Sequence, residues 1–138
     1  MIWTAYVIPL TILPWIVFNI VGMVSGVGPW DAVIFHLPML SGQMWEANWS
    51  DLMVLFGVVC LFGEVLKSTN TSSRAIVNHI LSTLVFIVYL VEFIVVGFAA
   101  QSVFFILMIL ALFDVLAGLT ISIKAARRDL AVGHGDGV

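Results

Sequence analysis

Four long apolar runs, separated by short polar breaks, take up most of this chain and leave few folds open to it. A run of about 18 or more apolar residues is long enough to cross a ~30 Å hydrocarbon core as a helix. The runs cover about residues 4–27, 51–66, 75–98 and 103–123. They predict an all-α membrane protein, a single domain over residues 1–138 built from four transmembrane helices. Composition agrees: 62% of the 138 residues are hydrophobic, 9% are charged, and the mean hydropathy is +1.19. A soluble domain carries roughly a quarter charged residues, so a chain this poor in charge could not keep a soluble surface wet. The bilayer is therefore its first expected partner.

The breaks between the runs carry their own signals. Residues 28–50 form a polar outer loop holding Trp30, Asp31, His36, Trp45, Glu46 and Trp49, with short apolar pieces at 32–35 and 38–40. This pattern predicts one or two short helices lying in the interface between the first and second transmembrane helices. Trp30, Trp45 and Trp49 fit an outer interfacial belt, and Trp3 and Tyr6 fit an inner one. Pro9 and Pro14 inside the first run predict a bend, because a proline removes a helical N–H. No basic stretch or small-residue cleavage site flanks that run, which reads as a retained span. Ser50 and Asp51 suit the cap of the second span, and Lys67 ends it by reaching back to the surface.

Orientation follows from five basic residues. Lys67 and Arg74 lie in the second break, and Lys124, Arg127 and Arg128 follow the fourth run. With four spans these places share one side, which the positive-inside rule makes cytoplasmic. Both ends, including the tail 124–138, are expected there. The net charge of −3 comes with no basic patch that could track a phosphate backbone, so nucleic acid is not an expected partner.

Chemistry is sought first among ionisable groups inside the membrane, where they are costly. Glu64, Glu92 and Asp114 lie within the runs with no Lys or Arg in the core, Lys67 alone being near enough to reach Glu64. Asn78, Ser82, Tyr89 and Glu92 follow helical spacing and share one face of the third span. Ala111, Asp114, Gly118 and Ser122 share a face of the fourth, and Gly57, Cys60 and Glu64 a face of the second. Asn19 lies at a depth that Glu92 could meet. Small residues let helices approach, and polar ones bond across the contact, so Asn19, Glu64, Asn78, Ser82, Tyr89, Glu92 and Asp114 are candidate partner-binding or ion-path residues. Gly22 and Gly26 form a G-x-x-x-G pair of the kind that packs helices.

Other classes find no support. Cys60, a lone thiol, excludes a disulfide or a Cys-based zinc site. His36 and His79 fall on opposite sides of the membrane and could not share a metal. No nucleophile triad, phosphate-binding glycine loop or metalloprotease pattern occurs. No cofactor and no enzymatic activity are expected.

The segments Asn78-His79-Ile80-Leu81-Ser82-Thr83, Leu90-Val91-Glu92-Phe93 and Phe113-Asp114-Val115-Leu116-Ala117-Gly118, leading to Ala126-Arg127-Arg128-Asp129, resemble a group of small four-span bacterial inner-membrane proteins without an assigned activity. The resemblance implies four spans and a bacterial inner membrane, and no mechanism. Two functions suit the residues. One is an accessory or assembly subunit of a larger inner-membrane complex, bound to other membrane chains through its polar and small-residue helix faces. The other is a homo-oligomeric ion channel or proton-coupled transporter using Glu64, Glu92 and Asp114.

Overall fold

The computed structural model describes residues 8–68 and 73–132, with side chains for 8–68, 77–124 and 127. Four helices run in the order α1 (Ile12–Ser25), α2 (Trp49–Ser68), α3 (Ser73–Val95) and α4 (Ser102–Val132). Strands β1 (Val33–Pro38) and β2 (Met44–Asn48) stand between α1 and α2, and a 3-10 turn, Gly97–Ala99, joins α3 to α4. Three stretches are long and apolar enough to cross a membrane: Trp49–Ser68, Val77–Val95 and Ser102–Lys124. Their outward side chains, among them Leu55, Phe62, Ile94 and Phe113, are apolar and exposed. That is the surface lipid chains cover.

The first span departs from its expected bounds. Residues 4–7 lie outside the described residues, and 8–11 form a turn rather than helix. Helix α1 has 14 residues, about 21 Å at 1.5 Å per residue, short of the hydrocarbon core. The prolines explain where it starts. Pro14 lies in the first turn, whose N–H groups have no helical acceptor in any case. Pro9 stays outside the helix, its carbonyl accepting the N–H of Ile12 at 3.2 Å. The helix ends at Gly26, whose φ of 77° needs no Cβ and lets its N–H bond the carbonyl of Gly22. Gly26 therefore caps α1, whereas Gly22 packs against the ring of Phe98.

The outer loop is a correction to the expected short helices. Residues 33–48 form an antiparallel β-hairpin, with His36 opposite Glu46 and Leu37 opposite Trp45. Val33, Ile34 and Phe35 favour a pleated strand over a helix, and Gly42, at φ 83°, supplies the left-handed turn that brings the chain back. His36 Nδ1 lies 3.4 Å from Glu46 across the strands, and Phe35 meets Trp45 edge-on. The belt also loses a member. Trp30 is buried and stacked on Phe18 at 4.9 Å, while Trp45 and Trp49 are exposed. Gly28, at φ 84°, passes so close to the Trp30 indole that any Cβ would collide with it.

Two further boundaries move. Asp51 lies inside the first turn of α2, where its carboxylate accepts the N–H of Asn48 at 2.8 Å in the manner of a capping box. The tail expected from Lys124 continues α4 to Val132, since Ala125, Ala126, Arg127 and Arg128 are good helix formers.

Helix α4 packs against both α2 and α3, and α1 lies against α2 and α4. Glycine makes these approaches close. At Gly57 a Cβ would come within 2.6 Å of Leu107, and at Gly118 within 2.7 Å of His79. At the hairpin end the core is aromatic: Phe18, Trp30, Phe93, Phe98 and Phe104 stack or tilt against one another around the buried Leu107 and Ala111. At the opposite end, near Lys67, it is polar.

Candidate functional site: a polar core near Lys67

All three intramembrane carboxyl groups point inward. Glu64 is 0% exposed and Asp114 2%, although sequence alone could not distinguish the bundle interior from a face offered to another chain. Their helices turn them in for the reason the stripes suggested. Met53, Gly57, Cys60 and Glu64 are the buried positions of α2, and Asn78, Ser82, Val85, Tyr89 and Glu92 form the buried stripe of α3.

The carboxyls then find donors within the chain. Glu64 Oε2 accepts the Leu10 N–H at 2.7 Å and lies 3.1 Å from Lys67 Nζ, and its Oε1 accepts the Asn78 amide. Asp114 Oδ2 accepts the Thr11 hydroxyl at 3.0 Å. Glu92 Oε2 accepts the indole N–H of Trp15. Asn19, expected to meet Glu92, instead donates to the Trp15 carbonyl at 3.1 Å. Trp15 thus links the two.

The turn at residues 8–11 is where these contacts converge. Backbone polar groups outside a helix need partners of their own. Here Lys67 Nζ donates to the Ile8 carbonyl at 2.8 Å, Glu64 takes the Leu10 N–H, and the Tyr89 hydroxyl donates to the Thr11 carbonyl at 3.0 Å. Helices α2, α3 and α4 each contribute a side chain to this grip, Asp114 holding Thr11 from α4. Polar groups consequently run through the bundle from Glu92 and Tyr89 to Thr11 and Asp114, and beside them to Asn78, Glu64 and Lys67.

Next to this grip lies a small polar cavity, about 10 Å³, bordered by Asn78, His79, Ser82 and Asp114. Ser68, Gly118 and Ser122 complete its wall. Its volume is on the order of one water molecule. Three buried atoms of its lining, Asn78 Oδ1, His79 Nδ1 and Ser82 Oγ, have no hydrogen-bond partner. Ser82 Oγ stands beside the Asp114 carboxyl without completing a bond to it. Among the described residues no group of three or more His, Cys, Asp or Glu converges as a metal site.

Thr11, Trp15 and the backbone of Leu10 were not legible as site residues. A threonine and a tryptophan in an apolar run look like any others, and only the turn before Ile12 leaves backbone polar groups for Glu64, Lys67 and Tyr89 to satisfy. His79 borders the cavity with its Nδ1 against Gly118. His36 stays in the exposed hairpin, and His134 lies outside the described residues. No protein-family model, no curated protein and no solved structure matches the chain, so its own geometry is what speaks to function.

Proposed function

We propose that the chain is an ion-translocating membrane protein, a channel or proton-coupled transporter of a bacterial inner membrane. In this reading residues 4–27 complete a fourth span and Lys67, Lys124 and Arg127 face the cytoplasm. The observation that carries it is the non-helical turn at residues 8–11, gripped by Glu64, Lys67, Tyr89 and Asp114. Ionisable side chains that meet non-helical backbone are a recurring feature of ion sites in transporters. Intramembrane carboxyls are costly to keep, and three of them joined through one polar core suit a path for protons or small cations better than helix glue. The narrow interior of a four-helix unit suits a relay from Glu92 to Glu64, with homo-oligomerisation widening the path.

Proteoliposomes carrying the full chain test this. An imposed pH or sodium gradient should dissipate faster than in empty vesicles, and Asp114→Asn should return the rate to the empty-vesicle level. Flux in neither gradient, or flux untouched by Asp114→Asn, sinks the proposal.

The accessory-subunit reading keeps one observation in its favour. The hairpin presents Phe35, Leu37, Leu40 and Trp45 outward, a surface another chain could cover. Partner contact through Glu64 or Asp114 has no such support, because both are engaged inside the bundle. A reproducible, stoichiometric second chain in the complex extracted by mild detergent would favour this reading. A chain running alone or only with itself would end it.

A further inference from the structure

We propose that the cavity bordered by Asn78, Ser82 and Asp114 is a binding site for one monovalent hard cation of the sodium class. The proposal rests on the transport reading for its role, as the station where the carried or coupling ion pauses. It rests on its own atoms for its chemistry.

The first of these is the direction in which the lining hydrogens point. Asn78 spends its amide N–H on Glu64 Oε1, because an amide oxygen facing that carboxylate would be repelled. Its carbonyl oxygen, Oδ1, is therefore the atom left toward the cavity, and it has no donor. Ser68 donates its hydroxyl hydrogen to the Glu64 carbonyl at 3.0 Å, and Ser122 donates to the Gly118 carbonyl at 2.9 Å. Both therefore offer only oxygen lone pairs to the space between them. Ser82 Oγ, 2% exposed, is unpartnered, and Asp114 contributes a carboxyl. Apart from the imidazole Nδ1 of His79, the polar atoms of the wall are oxygens. Oxygen acceptors in a low-dielectric interior attract positive charge, and buried acceptors without donors are costly to leave so. Oxygen atoms are also what hard cations select.

Charge decides the valence. Glu64 is balanced by Lys67 at 3.1 Å. Asp114 has a hydroxyl donor in Thr11 and, among the described residues, no cation in contact. An ionised Asp114 would bring one negative charge to the cavity, matching one positive charge. A divalent ion would stay half-neutralised, and calcium in particular favours six to eight oxygens with several carboxylates among them. The cavity volume of about 10 Å³ admits one small particle. Gly118 keeps that space open, since a Cβ there would press on His79 Nδ1.

The test is equilibrium dialysis of radiolabelled sodium against the purified full chain in nanodiscs, with choline chloride holding the ionic strength constant. Saturable binding of about one sodium per chain is expected. Asp114→Asn should abolish it, and Ser82→Ala should weaken it on the order of tenfold. Gly118→Ala removes no oxygen but narrows the space, and should weaken binding as well. It keeps the test decisive should Asp114→Asn fail to fold. Absence of saturable sodium binding by the unaltered chain overturns the site, as does undiminished binding by folded Asp114→Asn or Gly118→Ala protein. The two proposals fail separately. Sodium binding without any flux refutes transport and upholds the site, whereas proton flux without sodium binding upholds transport and refutes the site.

Discussion

The two ends of the bundle are built on opposite principles. At the hairpin end Phe18, Trp30, Phe98 and Phe104 fill the interior with rings, Phe18 lying 4.7 Å from Phe104 and 4.9 Å from Trp30. At the Lys67 end Glu64, Asn78, Ser82 and Asp114 occupy the interior instead. Unpartnered atoms occur at both ends, Asn78 Oδ1 and Ser82 Oγ here and Trp30 Nε1 at the other. Lipid is as apolar as a leucine side chain, so hydrophobic burial does little to drive membrane helices together, and close packing must do it. The aromatic end supplies that packing. Polar contacts between membrane helices are often worth only about 0.6 kcal/mol, so the polar end is expected to add less stability than the aromatic one.

Four substitutions sharpen or break this contrast. The largest stability effect is expected from Phe18→Ala, which removes a ring with 0% exposure from the aromatic end. Losses of about 3–5 kcal/mol accompany such deletions in water-soluble cores, and about 3 kcal/mol is expected where lipid replaces water as the alternative surroundings. Reversible unfolding in mixed micelles would measure it. A loss no greater than that of Asn78→Ala would break the contrast.

Next comes Gly57→Val. A Cβ there already meets Leu107 at 2.6 Å and Leu110 at 2.9 Å, so α2 must move away from α4. Overpacking of this kind costs about 1–3 kcal/mol, and the same unfolding assay should show it. A neutral result would mean that α2 and α4 do not approach at Gly57.

Asn78→Ala should cost less, about 0.6–1.7 kcal/mol, the range measured for polar contacts between membrane helices. Its effect on ion flux should nevertheless exceed that of either substitution above, measured in proteoliposomes on the folded fraction. A stability loss without loss of flux would make the Asn78–Glu64 bond structural.

The smallest effect belongs to Trp45→Ala on the exposed hairpin, whose ring touches only Phe35 among the aromatic contacts of the described residues. Stability should shift by no more than about 0.5 kcal/mol, and flux should be unchanged. A drop in bilayer partitioning with stability intact would show that the hairpin seats the chain in the interface.

Much of the buried pattern was legible in advance, and for one reason. Helical periodicity needs only the identity of residues three and four apart. It placed Asn78, Ser82, Tyr89 and Glu92 on one face of α3, and the structure buries that face. The same periodicity aligned Gly57, Cys60 and Glu64 on α2. The outer loop was misread because short apolar stretches such as 32–35 suit a strand or a helix equally until a pairing partner is known. Trp30 was misplaced because its amphipathic ring suits an interface and a core alike, and the turns at Gly26 and Gly28 chose the core.

Sequence by itself pointed to four apolar runs, of which the structure forms three as helices long and apolar enough to cross a membrane, and it determined that carboxyls lie within those three and which side of each helix carries them. These follow from composition and from the 3.6-residue period, which are local properties of the chain. Only the tertiary structure decided what the carboxyls meet. Thr11 bonding Asp114 joins residues 103 positions apart, and Leu10 bonding Glu64 joins residues 54 apart. No local rule reaches across such separations. They depend on where the first helix starts, after Pro9, and on how closely Gly57 and Gly118 let the other helices approach.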